Sequence, residues 1–106
     1  MIDALISGRL YGRAEERSGQ SGSLYVTCKV RAMTDDGDTL MCNVIAFNDQ
    51  IRSLLLSLDD GESISLSGAL TPKVWIDKQG KPRPAIDLIA HAAISAHLTV
   101  RATTNE

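Results

Sequence analysis

The chain has 106 residues, 43% of them hydrophobic and 23% charged, the balance of one globular domain and not of a disordered or fibrous protein. Its formal net charge of −2 excludes a uniformly basic surface, so a polyanionic partner would have to be met by a local cationic patch. Residues 1–8 lack a basic start and no apolar run reaches membrane-spanning length, which points to a cytoplasmic protein.

Residues 2–12 suit a first strand in which Gly8 and Gly12 allow a bend or the close approach of another backbone. Residues 13–22 are polar and glycine-containing, and they predict a loop. From Leu24 to Met33 the alternation is clean. Leu24, Val26, Cys28, Val30 and Ala32 form an apolar face, with Tyr25, Thr27, Lys29, Arg31 and Met33 on the other.

Asp35-Asp36-Gly37-Asp38 reads as a turn into a third strand over residues 39–47. There Cys42, Val44 and Ala46 alternate with Met41, Asn43, Ile45 and Phe47. Neither face is polar, so periodicity leaves open which one is buried. Met41 and Phe47 then face either a ligand or a subunit interface.

Asn48 predicts the cap of a helix over residues 49–58, because Ile51, Leu54, Leu55 and Leu58 recur at helical spacing, and Gly61 is placed to end it. Residues 62–71 alternate Ile64, Leu66, Gly68 and Leu70 with a serine-rich face. Pro72 cannot donate a ladder hydrogen bond, so a break or bulge is expected there. The return strand runs from Pro82 to about Leu98; residues 1–98 make the domain, and 99–106 are expected to fray as a disordered extension.

Between those last strands lies Lys73-Val74-Trp75-Ile76-Asp77-Lys78-Gln79-Gly80-Lys81-Pro82-Arg83, with the only tryptophan and four of the eleven basic residues. Its centre has the composition of a hairpin loop, so Trp75 is expected on a projecting arm. This arm carries a charge of +3 and the remainder −5. An indole among cations is suited to unpaired nucleotides, since bases stack on the ring while Lys and Arg neutralise phosphates.

Other chemistries find no support in the sequence. Cys28, Cys42, His91 and His97 have no metal-ligand spacing, so two reduced core thiols, two surface histidines and no cofactor are expected. No nucleophile and base constellation, phosphate loop or carboxylate pair marks an enzyme. Cys28 and Cys42 are nearly equidistant from the Asp35–Asp38 turn, which predicts cross-strand neighbours.

Five strands with one helix between the third and fourth match an all-β, five-stranded Greek-key oligonucleotide-binding (OB) barrel. Ser7-Gly8-Arg9-Leu10, Asn43-Val44-Ile45-Ala46-Phe47, and Leu66-Ser67-Gly68-Ala69-Leu70 followed by the Trp75 hairpin resemble, in order, blocks of the bacterial single-stranded DNA-binding protein family. That resemblance implies that Trp75 and Phe47 are base-stacking aromatics and that Met41 stands where a third falls. No aromatic occupies the place of a fourth near Met33 and Thr34. It implies a homo-oligomer, dimer or tetramer.

The chain ends Arg-Ala-Thr-Thr-Asn-Glu, without the family's acidic, phenylalanine-terminated tip, so recruitment of partner proteins through such a tip is not expected. A chain of this length also resembles primosomal replication protein N, a dimeric single-strand binder of replication restart.

The expected function is sequence-independent binding of single-stranded DNA in replication, recombination or repair. The expected path crosses Arg9, Tyr25, Lys29, Arg31, Met41 and Phe47, then passes under an arm carrying Lys73, Trp75, Lys78, Lys81 and Arg83. A rival use of the same fold is a protein-interaction module that buries Trp75, Met41 and Phe47 against a partner.

Overall fold

The computed structural model describes residues 1–95 and 99–101. Its elements are β1 (Ile2–Ser18), β2 (Leu24–Met33), β3 (Thr39–Ala46), α1 (Asp49–Leu56), β4 (Ser63–Ile76), β5 (Pro82–Ser95) and β6 (Thr99–Arg101). The strands run in the order β3-β2-β1-β4-β5-β6, and a parallel β3–β5 pairing closes the first five into a barrel. This is the expected OB-fold, with β6 added outside the closure on β5.

The core follows the alternation of the strands. Val26, Cys28 and Val30 from β2 meet Cys42, Val44 and Ala46 from β3, and Ile64 and Leu66 from β4. β3 therefore buries its Cys42 side and turns Met41, Asn43 and Ile45 outward, which periodicity had left open. Leu24 continues the apolar face of β2 but stays exposed, because it lies where the β1–β2 hairpin has left the barrel.

Helix α1 plugs one end of the barrel with Ile51, Leu54 and Leu55, joined by Leu58 just beyond its C-cap, all four buried. The Asn48 side chain accepts hydrogen bonds from the Gln50 and Ile51 backbone N–H groups, the cap expected of it. The helix ends earlier than expected, with Ser57 as its C-cap. Gly61, at φ +86°, serves instead the turn into β4, where its N–H donates to the Leu10 carbonyl.

β1 departs most from expectation, since residues 13–18 are strand and not loop. It pairs with β4 from Ile2 to Arg9 and with β2 from Arg9 to Ser18, so one strand serves two neighbours. The change of partner needs a bend, supplied by Gly12 at φ +73° and a bulge between Tyr11 and Glu15. Asp60 accepts the Gly12 N–H at 2.6 Å, and Asp59 pairs with Arg13 at 2.5 Å. Ala14 still packs against the core, whereas the polar composition of residues 15–18 reflects two solvated faces, and cross-strand pairing overrides it.

Gly8 answers the other expectation for this strand. A Cβ there would lie 2.1 Å from the Arg31 carbonyl oxygen, so β1 packs on β2 only as glycine.

Three further expectations are corrected. β4 passes through Pro72 without a break, and its irregularity lies at Ser67/Gly68, where β5 carries the extra residue. Pro72 is tolerated because β1 ends at the Ile2–Leu70 pair, leaving one side of β4 an open edge. Thr99–Arg101, expected to fray, pairs with Ala92–Ile94. Residues 102–106 and His97 lie outside the described residues.

The third concerns the thiols. Cys28 is opposite Val44 and Cys42 opposite Val30, so the cysteines are diagonal neighbours and not a direct pair. Gly37, at φ +89°, sets the β2–β3 turn one residue further along than the midpoint of the two cysteines. Both thiols are free. Burial raises Cys28 to about 12, with a contribution from nearby Cys42; burial and then the Asp87 charge raise Cys42 to about 11.

Candidate nucleic-acid interface

The outward side chains of the barrel strands form rows fixed by register. One row runs Arg9, Arg31, Met41, Ala85 and Lys73 across β1, β2, β3, β5 and β4, with Ala85 buried among its neighbours, and the next runs Tyr11, Lys29, Asn43, Asp87 and Thr71. Further along β2, Tyr25 lies opposite Arg17. Phe47 follows the end of β3, with its ring centroid 6.2 Å from that of Tyr25 and the planes tilted by 47°. Phe47 is 54% exposed, so the pair presents aromatic surface to solvent.

Arg9 and Arg31 are directly opposite each other, a cross-strand arrangement that repels. Local contacts hold both guanidinium groups without neutralising them: Arg9 donates to the Gly61 carbonyl at 3.0 Å, and Arg31 lies 4.2 Å over the Tyr11 ring. Lys29, one row away, makes no ion pair among the described residues. Three cations of the face thus remain available to an anion.

Tyr11 was not among the residues anticipated for this face. Its signal was legible, since it lies two residues after Arg9 on one strand and so shares that side chain's direction. A groove of about 480 Å³ runs over this part of the face, with Tyr11, Thr27, Lys29, Asn43 and Asp87 among its walls.

The arm is built differently. β4 and β5 continue beyond the barrel as a two-stranded hairpin, pairing Trp75 with Arg83 and Ile76 with Pro82. Its loop is organised by Asp77, whose Oδ1 accepts the backbone N–H groups of Gln79 and Lys81, each at 2.9 Å. Gly80, at φ +79°, completes the turn. The Lys81 N–H first, and the Arg83 side chain second, hold the Asp77 carboxyl below its ordinary range.

Trp75 is 49% exposed and shares a cleft with Met41, Thr39, Arg83 and Pro84. Met41 therefore joins the two regions, opposite Arg31 on one side and beside the indole on the other.

The charge of the arm needs correction. Arg83 Nε donates to Asp77 Oδ2 at 2.9 Å, and Lys73 Nζ lies 3.2 Å from Asp87 Oδ2. Asp87 also accepts from Asn43 Nδ2 at 3.2 Å. Two of the arm's four cations are thus held by carboxylates, leaving Lys78 and Lys81 at the tip without an ion pair among the described residues. Asp87 comes from outside the arm, so no count within residues 73–83 could reveal it.

All eleven anticipated residues lie on these two regions. Arg9, Tyr25, Lys29, Arg31 and Phe47 belong to the sheet face, Met41 to the junction, and Lys73, Trp75, Lys78, Lys81 and Arg83 to the arm. Rings exposed beside unneutralised cations offer stacking and phosphate contact, neither of which distinguishes one base from another. No group of three or more potential metal ligands occurs among the described residues, and none of their helices is long and apolar enough to cross a membrane.

No family model and no curated protein matches the sequence. Among solved structures, the small single-stranded DNA-binding protein of Streptomyces coelicolor superposes with a TM-score of 0.69 at 19% identity, covering 89% of this chain and 93% of its own. The mitochondrial single-stranded DNA-binding protein of S. cerevisiae gives a TM-score of 0.66 at 16% identity, covering 96% and 97%. A Plasmodium falciparum counterpart in complex with single-stranded DNA gives 0.61 at 14%, covering 85% and 86%. These likenesses establish the shared barrel architecture.

Proposed function

We propose that this chain binds single-stranded DNA without sequence preference, by base stacking on Tyr25, Phe47 and Trp75 and by phosphate contacts with Arg9, Lys29, Arg31, Lys78 and Lys81. The observation that carries this reading is the coexistence of exposed rings and carboxylate-free cations on the face and on the arm. That its solved structural neighbours are single-stranded DNA-binding proteins supports the same reading. Lys73 and Arg83 act at lower strength, through the carboxylates that hold them. The role is binding in replication, recombination or repair, carried out by a cytoplasmic homo-oligomer and without catalysis.

Trp75 is the only indole, so its emission reports on the arm alone. Titration with an oligothymidylate is expected to quench it, and with four or five phosphates neutralised the affinity should fall with a log-log salt slope of about −3. Tight binding with an unchanged indole signal would remove the arm from the site. An affinity insensitive to salt would refute the phosphate contacts.

A further inference from the structure

The Tyr25–Phe47 pair depends on a side chain that no strand carries. The β2–β3 ladder ends at Val26 and Ala46, so Tyr25 and Phe47 each lie one residue beyond its last rung. Tyr25 is still held by β1, opposite Arg17. Phe47 has no cross-strand partner in either pairing of β3, and it is the single residue between that strand and the Asn48 cap of α1.

Arg52 fills the gap. Side chains on a helix lean towards its N-terminus, so the Arg52 guanidinium runs back past the start of α1. Its Nε donates to the Phe47 carbonyl at 3.2 Å, one Nη pairs with Glu16 of β1 at 3.2 Å, and the other pairs with Asp49. Glu16 lies opposite Val26, the residue after Tyr25. One planar group thus fastens the backbone of Phe47 to the strand pair that carries Tyr25.

Contact with a phosphate does not account for this arginine. Its side chain is 14% exposed, whereas those of the other ion-paired cations among the described residues are all more than half exposed. Two carboxylates already take its charge. Arg9, Lys29 and Arg31, the cations of the face, have none.

The ring geometry shows what the fastening achieves. Centroids 6.2 Å apart are within contact range for two aromatic rings, so Tyr25 braces Phe47 on one side and leaves exposed ring on the other. We propose that Arg52 is the positioning residue of this platform, holding Phe47 against Tyr25 so that the pair is arranged before a base arrives. The proposal rests on the reading that Phe47 stacks.

Two variants of the full chain test it. Glu16→Gln removes a negative charge near the platform, so electrostatics alone would tighten DNA binding, whereas loss of positioning weakens it. Arg52→Lys keeps the cation and loses the fork. By fluorescence anisotropy, oligothymidylate affinity is expected to fall about 3-fold or more in the first and about 5-fold or more in the second, neither exceeding the loss in Phe47→Ala. The salt slope of Arg52→Lys should stay at the wild-type value. In a Phe47→Ala background neither variant should weaken binding further, because the ring it positions is gone. Without DNA, the nuclear Overhauser contact between the Tyr25 and Phe47 rings should weaken in both.

Tighter binding in Glu16→Gln, an undiminished ring contact in Arg52→Lys, or a full additional loss in the Phe47→Ala background would overturn the positioning role and leave stacking intact. Wild-type affinity in Phe47→Ala itself would overturn both.

Discussion

The sheet face and the arm carry similar chemistry in opposite ways. The arm concentrates four cations in eleven residues, yet Asp77 and Asp87 hold two of them. The face gathers Arg9, Lys29 and Arg31 from two strands, and no carboxylate pairs with any of the three among the described residues. Charge density along a chain is therefore a poor measure of the charge a surface can offer. What matters is which acid the fold brings alongside.

The aromatic residues show the same contrast. Tyr25 on β2 and Phe47 just after β3 support each other, whereas Trp75 stands on a two-stranded hairpin that no third strand flanks. Removing a platform is the largest test. Trp75→Ala and Phe47→Ala should each weaken oligothymidylate binding by about 5- to 150-fold, from stacking of about 1–3 kcal/mol per base. Fluorescence anisotropy of a labelled oligonucleotide measures both, and a loss confined to one region would confine the site to it.

Paired substitutions separate the cations next. Lys29→Ala/Arg31→Ala should flatten the salt slope by about 1.4, whereas Lys73→Ala/Arg83→Ala should change it by less than about 0.7. Equal changes would show that Asp77 and Asp87 release their partners fully when a strand arrives.

Asp87→Asn probes that release directly. It frees Lys73 and removes a negative charge from the middle of the face, so affinity at low salt should rise severalfold and the slope steepen by about 0.7. Weaker binding in this variant would mean that Asp87 positions Lys73 for the phosphate and does not compete with it.

The smallest effect concerns pH. The folded arm holds the Asp77 carboxyl below the unfolded value of about 3.9, so its stabilising contribution is present above that pH. It is lost as pH falls through the lower folded value. Trp75 emission should report loosening of the arm only in that acid window, and Asp77→Asn should remove the transition.

Much of this architecture was legible because each local signal agreed with its neighbours. Alternation in residues 24–33, the Asn48 cap with its leucine stripe, and the loop around Gly80 each required only residues close in sequence. Where long-range pairing decided, local reading failed. Residues 13–18 look like a loop, since beyond Ala14 both their faces are wet, and become strand through β2; Pro72 looks like a break, and survives on an edge. Tyr11 could have been placed beside Arg9 by counting two residues, but its contact with Arg31 required the β1–β2 register.

By itself the sequence determined the order of elements, the core stripes and the presence of one indole on a cationic hairpin, because periodicity and turn chemistry act over a few residues. Only the closed barrel decided which cations stay free. Asp87 reaches Lys73 and Asn43 because β5 lies between β4 and β3, an adjacency created by strands far apart in the chain.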